Sequence, residues 1–581
     1  MILSASGWRK VFAISGNEQD KTSMIGEQNI AISIFSAQVF ADYLKEQTKK
    51  STPVVIVGMD ARPTGPAIAE AAIKTFVQNG INVKFTGITA APEIMAYSKQ
   101  SDGFMYISAS HNPVGHNGIK FGLDSGGVLN GTENAKLVEK FNSLCDSENA
   151  EQNAFAIIRD TKESEISAVY KNQKNVKAEA LKAYHDFLLE TITAANEKSK
   201  QDEIFSTLQN SISKKHIGVV CDMNGSARAE SVDSNFFAEN GIRFYAIHNK
   251  AGDIAHEIIP EAENLVYVAA EMEKLQKSGK KDAILGYMPD CDGDRGNIVY
   301  WDEKQNKAVI VKAQEVFSLS VLAELCWQNW LNTENTAVAV NCPTSMRIEE
   351  IASKLGAKVF RAEVGEANVV NLAAEKRAEG FNVRIFGEGS NGGTITYPSA
   401  VRDPINTIFA IIKLLSITNL YKIWCEKSGT EYKEDYTLTD ILESLPKYTT
   451  TGVSEPRAVL HINNKDHADL KGKFQKIFEA QWKEQKVFLE NWGITNYEAV
   501  ITNGTKETRS ITDFSLSKKG GLKILLKNNR MENLAFIWMR GSGTEPVFRI
   551  MCDVKGNNQE MEKALLSWET EMLLEADKSN C

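Results

Sequence analysis

Paired cysteines are missing from this sequence. Eight cysteines occur in 581 residues, at Cys145, Cys221, Cys291, Cys326, Cys342, Cys425, Cys552 and Cys581, and no two of them form a Cys-x-x-Cys pair. That argues against zinc binding and dithiol redox chemistry, and scattered thiols fit a reducing cytoplasm. There is no run of about 18 apolar residues, so no segment reads as a membrane span. The opening stretch MILSASGWRKVF lacks the apolar core of a signal peptide. Positive charge is in deficit: 66 Lys and Arg stand against 75 Asp and Glu, a net charge of −9. This balance argues against nucleic acid as the main ligand, although a local cluster of Arg and Lys can still hold a small anion. Biased tracts are lacking too; 43% hydrophobic and 24% charged residues make an ordinary globular composition. One hydrophobic core cannot serve a chain of this length, and roughly three to five domains are expected.

What is present is a repeated pattern. It runs through PVVIVGMDARPTGPAIAEAAIKTFVQNGINVKF, HIGVVCDMNGSARAESVDSNFFAENGIRFYAI and TAVAVNCPTSMRIEEIASKLGAKVFRAE. In each, an apolar β-rich run is followed by a small-residue turn, a helix, a glycine and a second strand. Gly80, Gly241 and Gly356 fall where a helix C-terminus must turn into the next strand. Alternating strands and helices predict parallel sheets with crossover helices. A further apolar run follows each unit, GFMYI, AILGYM and NVRIF, and ends in a polar loop: SASHNP, PDCDGDR or GEGSNGG. Open α/β sheets take ligands beyond the carboxyl ends of their strands, so these loops are the expected ligand sites. From about residue 441 the pattern changes to an amphipathic helix, LKGKFQKIFEAQW, and the strand-like GLKILLK, LAFIWMR and VFRIMCDV. Residues 146–180, polar and rich in Lys and Glu, read as an exposed insertion, and AEALKAYHDFLLETI as a helix joining the first two domains. The expected fold is α/β: three sequential α/β domains with mixed or parallel sheets at 1–195, 196–315 and 316–440, then a C-terminal α+β domain at 441–581.

Four loops carry candidate chemistry. In Ser108-Ala109-Ser110-His111-Asn112-Pro113 a serine at a strand end is followed by groups that can place donors around its oxygen, and Lys120 brings a cation. Alone, this is either an exposed nucleophile or a turn, since turns favour the same residues. In Asp290-Cys291-Asp292-Gly293-Asp294-Arg295, alternating carboxylates offer hard oxygen ligands suited to Mg²⁺. An EF-hand fails, because the sixth position is Arg295 and the twelfth is Trp301. An unliganded acidic turn would leave close carboxylates repelling one another. The loop Gly387–Gly393 presents Glu388 and Ser390, which suit sugar hydroxyls, or is a structural glycine turn. Arg540-Gly541-Ser542-Gly543-Thr544-Glu545-Pro546, with Arg549 beyond, joins small residues whose N–H groups can nest an anion to hydroxyls and positive charge. Its alternative is a plain hairpin turn. Ser4-Ala5-Ser6-Gly7-Trp8-Arg9 is a weaker fifth candidate, in which Arg9 is a functional group or a surface charge.

Assembled in this order, the motifs resemble the α-D-phosphohexomutase family of phosphoglucomutases, phosphomannomutases and phosphoglucosamine mutases, over nearly the whole chain. SASHNP is similar to the family's phosphoserine loop, DCDGDR to its metal loop, GEGSN to its sugar loop and RGSGTEP to its phosphate loop. SASGWR is similar to its N-terminal T-S-G-x-R segment. The resemblance implies four domains around a central cleft in a cytoplasmic intramolecular phosphotransferase. Hexose 1-phosphate and hexose 6-phosphate would interconvert through phospho-Ser110 and a hexose 1,6-bisphosphate, which serves as intermediate and activator. It implies catalytic roles for Ser110, His111, Lys120, Arg9 and Arg295, with Lys120 or His111 managing the proton of the attacking hydroxyl. One Mg²⁺ per chain would lie between the Ser110 phosphate and Asp290, Asp292 and Asp294. Substrate contacts would come from Glu388, Ser390, Asn391, Arg540, Ser542, Gly543, Thr544 and Arg549. The expected partner is a hexose phosphate, with no nucleic acid or membrane, in a monomer or homodimer. Two departures bear on substrate choice. Asn391 stands where the family commonly has Gly, and Val364-Gly365 is followed by Glu366 where several members place His or Lys nearby. Glucose or mannose phosphate is the favoured substrate; an acidic Glu366 facing a sugar amine would instead make a phosphoglucosamine mutase. A catalytically silent phosphosugar-binding protein is opposed by the presence of Ser110, Lys120 and all three aspartates, and a metal-dependent phosphatase would release inorganic phosphate instead.

Overall fold

The computed structural model describes residues 1–542 and 547–578. The chain divides into two compact units, Met1–Lys312 with Ile395–Ile417, and Ala313–Thr394 with Thr418–Cys581.

The first unit holds two sheets. In one, the strand Val54–Met59 pairs in parallel with Asn82–Ile88 on one side and Gly103–Ile107 on the other. His116–Leu123, Gly7–Val11 and Ile2–Ser4 then extend the sheet antiparallel. VVIVGM is buried almost throughout, as a strand covered on both faces must be. Helices Gly26–Thr48 and Gly65–Gln78 cover one face through a core that includes Phe35, Phe40, Ile68 and Phe76. The other face is covered by Ala91–Ser98 and the long helix Glu163–Thr193, whose Val176 and Ala180 join Ile94, Tyr97, Phe104 and Tyr106. Residues 146–180 are therefore not an exposed insertion. They form the helix Ala150–Ile158 and the first half of Glu163–Thr193, with Ala154, Ile166, Val176 and Ala180 buried. A few apolar side chains at helical spacing suffice to seat a helix whose outer face is Lys and Glu, and composition alone hides that stripe.

The second sheet runs Lys307–Ile310, Asn297–Asp302, Ala283–Met288, Gly218–Asp222, Arg243–Ile247, with Gly218–Asp222 parallel to both of its neighbours. Beside it lies the helix Pro404–Ser416, all of whose residues are buried. Its Phe409 packs against Phe205, Phe236 and Phe237.

In the second unit, Thr336–Asn341 lies parallel to Lys358–Ala362 and Asn382–Glu388, and Gly393–Thr396 completes the sheet. The fourth sheet is antiparallel and built on Phe548–Lys555, Asn533–Gly541, Leu522–Lys527 and Asn496–Asn503. Helices His467–Glu484 and Gln559–Lys578 close its core with Phe474, Phe478 and Trp568. Three α/β sheets and a C-terminal α+β element match the expected fold class. The predicted turn glycines Gly80, Gly241 and Gly356 have φ of 70°, 74° and 74°, the left-handed geometry of a helix C-terminus. Among the described residues, seven cysteines are free, and no single helix is long and apolar enough to cross a membrane.

Candidate active site

The nucleophile candidate sits where two strands turn. Gly103–Ile107 runs into the Ser110 loop and His116–Leu123 returns antiparallel, placing Lys120 opposite Tyr106. Ser110 has φ of 55°, a left-handed conformation uncommon outside glycine, which the surrounding contacts must hold. Its N–H donates to Ser108 Oγ at 2.9 Å. Arg62, buried and ion-paired with Asp60, donates to the carbonyl oxygens of Ser110 at 2.8 Å and Asn112 at 2.5 Å.

The aspartate loop follows the strand Ala283–Met288. Asp290, Asp292 and Asp294 are all buried, and their ligand atoms lie within 4.8 Å of one another. Gly293 makes the tight approach possible: its φ is 73°, and a Cβ there would lie 2.3 Å from Arg228 Cγ. Ser110 Oγ donates to Asp290 Oδ2 at 2.7 Å. Asp292 Oδ2 accepts from Lys120 Nζ at 2.6 Å and Ser108 Oγ at 3.1 Å. Asp294 Oδ2 accepts from Arg402 Nη2 at 2.7 Å, and Asp290 Oδ1 from the Arg295 N–H at 3.2 Å. Two buried acceptors, Asp292 Oδ1 and Asp294 Oδ1, have no hydrogen-bond partner among the described residues, and neither do the buried donors Arg9 Nε and Arg295 Nε. Orphaned carboxylate oxygens beside orphaned guanidinium N–H groups suit a cation and an anion held side by side. The donor set, all oxygen and triply acidic, fits Mg²⁺.

Electrostatics separates the two candidate proton carriers. Burial lowers the Lys120 pKa, yet Asp292 and Asp294 outweigh it and hold Lys120 above its usual value, so this lysine is a fixed cation. The positive charge of Arg295, with burial and the charges of Arg9 and Arg402, holds His111 well below its ordinary value. His111 is thus a neutral imidazole at neutral pH, and its Nδ1 is 3.5 Å from Ser110 Oγ. Burial and the repulsion of Asp292 and Asp294 push Asp290 upward. Asp292 is held low against its own burial, chiefly by Lys120.

The second unit assembles the other two loops. Asn341, at the end of Thr336–Asn341, donates from Nδ2 to Glu388 Oε1 at 3.1 Å and to Ser390 Oγ at 3.0 Å. The Gly365 N–H also donates to Glu388 Oε1, at 2.8 Å. Asn391 Oδ1 accepts from the Gly393 N–H at 3.0 Å, closing the turn that follows Ser390. Arg540 and Arg549 are register partners on adjacent strands. Arg540 Nε lies 3.1 Å from Glu363 Oε1, and Arg549 donates to the Val453 carbonyl at 2.8 Å. The Ser542 N–H donates to the Val547 carbonyl at 2.8 Å, while Gly543 and Thr544 lie outside the described residues.

The first unit therefore gathers Ser110, His111, Lys120, Arg9, Arg295 and the three aspartates around one point. The second gathers Glu388, Ser390 and Asn391 at one strand end, and Arg540 with Arg549 on a pair of strands. Sequence reasoning missed Arg62, Arg402, Asn341 and Glu363. Asp60-x-Arg62 and Asn341 each stand at the carboxyl end of an apolar run, where ligands of α/β sheets gather. Arg402 and Glu363 carry no comparable signal.

Comparison with known proteins gives the class. Models of phosphoglucomutase/phosphomannomutase match residues 17–147 as alpha/beta/alpha domain I and residues 318–447 as alpha/beta/alpha domain III. A phosphoglucomutase/phosphomannomutase of Thermococcus kodakarensis is 26% identical over 530 residues, covering 90% of each chain. A phosphoglucosamine mutase of Methanococcus vannielii is 24% identical over 401 residues, covering 69% of this chain and 74% of its own. Among solved structures, the open form of parafusin, a phosphoglucomutase of Paramecium, shares the fold. Its TM-score is 0.62 at 14% identity, covering 100% of this chain and 96% of that one. The protein is a phosphomutase by class, an isomerase that moves a phosphoryl group. The two domain models and these relatives support the α-D-phosphohexomutase family.

Proposed function

We propose that this chain interconverts hexose 1-phosphate and hexose 6-phosphate through phospho-Ser110 and a hexose 1,6-bisphosphate, with glucose or mannose phosphate as substrate. The observation that carries the reading is Ser110 Oγ, 2.7 Å from Asp290 and beside unanswered carboxylate oxygens and guanidinium donors. Asp290, Asp292 and Asp294, with the Ser110 phosphate, would hold one Mg²⁺, which when bound supplies neutralisation of charge on the phosphoryl oxygens. The chain's own groups do the rest. Arg9 and Arg295 orient the phosphoryl group, Lys120 remains a cation beside it, and neutral His111 accepts the proton of the attacking hydroxyl. The bond from phosphorus to Ser110 Oγ breaks as the bond to the sugar oxygen forms. After the bisphosphate turns over, its other phosphate returns to Ser110 and His111 gives the proton back. Glu388 and Ser390, with Asn391 shaping the turn, bind the sugar. Arg540, Ser542, Gly543, Thr544 and Arg549 take the phosphate that is not reacting. Domain limits near residues 195, 315 and 440 go with this reading, since each would contain one sheet and one loop.

Turnover of glucose 1-phosphate, mannose 1-phosphate and glucosamine 1-phosphate, compared side by side, tests the substrate. The first two are expected to be faster; steady release of inorganic phosphate without isomerisation would sink the mutase reading. A second reading, phosphoglucosamine mutase, is favoured by one observation. Glu366 opens the helix Glu366–Ala378 directly after Gly365, whose N–H is bonded to Glu388, so an acidic side chain starts beside the sugar loop. Faster turnover of the amino sugar would select it.

Arg540→Ala tests the phosphate loop. A charge-assisted arginine–phosphate contact contributes about 1.5–3 kcal/mol, so KM should rise about ten- to a hundredfold. Glu363 keeps donors from Val364 and Gly521 N–H and the Thr502 hydroxyl, so the fold should survive. Mg²⁺ affinity and Ser110 phosphorylation should change little. Unchanged KM, or loss of metal binding instead, would give the loop another job.

A further inference from the structure

The second sheet gathers a different set of ligands away from the aspartates. Asp222 ends the strand Gly218–Asp222, His248 follows the neighbouring strand Arg243–Ile247, and His256 arrives on the loop beyond Gly252. Asp222 Oδ1 is 2.9 Å from His248 Nδ1, and Asp222 Oδ2 is 2.8 Å from His256 Nε2. The donor atoms of all three residues lie within 4.8 Å of one another. The Asp222 side chain is buried and that of His256 nearly so, while His248 is 38% exposed. The group is closed on the inside and open to solvent at one corner.

The second contact of His256 orients its ring. Its Nδ1 lies 3.0 Å from the carbonyl oxygen of Glu257, an acceptor only, so Nδ1 carries a proton. A neutral ring then turns the Nε2 lone pair on the Asp222 carboxylate, and anion faces lone pair. That approach requires a cation between them, either a second proton or a metal ion. The ring cannot swing away freely, because Tyr267 stacks on it with centroids 4.1 Å apart and planes 9° from parallel. An imidazole anchored at Nδ1 by a carbonyl, with Nε2 turned to the ligand cluster, is how second-shell contacts orient a metal-bound histidine. The Asn224 N–H, donating to Asp222 Oδ1 at 2.9 Å, fixes the carboxylate in the same way. Metal bonds of about 2.0–2.1 Å at tetrahedral or right angles put neighbouring donors about 3 Å apart, near the two distances from Asp222 to the histidines.

We propose that Asp222, His248 and His256 bind a divalent transition-metal ion of the zinc type, with water completing the coordination on the exposed His248 side. Two imidazoles and a carboxylate suit zinc, whereas Mg²⁺ prefers oxygen alone, so this site and the aspartate cluster select different ions. The absence of cysteine pairs says nothing about a nitrogen and oxygen site of this kind. The ion braces the loop that carries His256. Ile254 and Ile258 of that loop pack with Val114, beyond the Ser110 loop, and with Cys291, between two of the aspartates. Metal at Asp222 thus stiffens the support of the reactive loops without touching substrate.

The proposal is independent of the mutase reading, and so is its test. Zn²⁺ is titrated into full-length protein stripped with chelator and held in excess Mg²⁺, with affinity read by competition against a chromophoric chelator and Tm measured alongside. Wild type should take one tight equivalent with a rise in Tm, and Asp290→Asn should do the same. His248→Gln and His256→Gln should each lose at least about tenfold in affinity, together with the rise in Tm. His248 lies at the exposed corner of the group, so that variant should keep the wild-type circular dichroism. No stoichiometric binding, equal binding by both histidine variants, or loss of binding only in Asp290→Asn would overturn the site and leave a protonated histidine clamp in its place.

Discussion

Ser110→Ala should lower mutase turnover by about three orders of magnitude or more, the scale on which removing a covalent nucleophile acts. The hydroxyl is the only atom deleted. Its hydrogen bond to Asp290 is lost, but the loop is held through backbone groups: the Ser110 N–H to Ser108, and the Ser110 and Asn112 carbonyls to Arg62. Alanine meets the same left-handed backbone as serine, so Tm should stay within a few degrees of wild type, and the activity loss can be assigned to chemistry. Wild-type protein should carry phosphate at residue 110, removable by sugar monophosphate, and the variant should carry none there. Near-normal turnover in Ser110→Ala would end the covalent mechanism.

The second large effect is expected at the metal. Asp290→Asn keeps shape but removes one of three clustered charges, and Mg²⁺ affinity should fall by at least about a hundredfold, with activity lost in parallel. The metal-free fold should not suffer. Burial and the neighbouring carboxylates already favour the uncharged form of Asp290, and asparagine imitates that form. A Tm measured in chelator should therefore match or exceed that of wild type, while added Mg²⁺ should raise Tm only in wild type. Chelation of wild-type enzyme should abolish turnover and Mg²⁺ restore it; full activity after exhaustive chelation refutes the assignment.

Much of this site was legible because its chemistry is local in sequence. Ser110 and the aspartates stand on single loops at strand ends, where a short string of residues carries both the geometry and the reactive groups. The three strand–turn–helix repeats were legible for a related reason: apolar runs buried on both faces leave an unbroken signal. Contacts made only by folding were not legible. Arg402 reaches Asp294 across 108 residues, and Arg62 reaches Ser110 across 48, from contexts in which an arginine is unremarked. Glu363 gains meaning only from Arg540, Thr502 and Gly521 brought beside it. The first half of the helix Glu163–Thr193 was hidden by its charged face, while its second half, AEALKAYHDFLLETI, was read as a helix; the inclusion of Ile395–Ile417 in the first unit depends on aromatic packing around Phe409 that no local pattern announces. The ligands Asp222, His248 and His256 are likewise scattered over three segments.

Asp292 belongs to the second sheet's loop, yet both side chains that hydrogen-bond its Oδ2, Ser108 and Lys120, come from the first sheet. One carboxylate therefore belongs to the candidate metal cluster and also rivets two layers of the unit. A chain that exchanged Asp290 for asparagine would forfeit only chemistry, whereas exchanging Asp294 also breaks its ion pair with Arg402, and exchanging Asp292 strands a buried cation at the seam between the sheets. Of the three aspartates it is the one whose loss would be felt in folding yield before any assay was run, and the one least suited to dissecting the reaction.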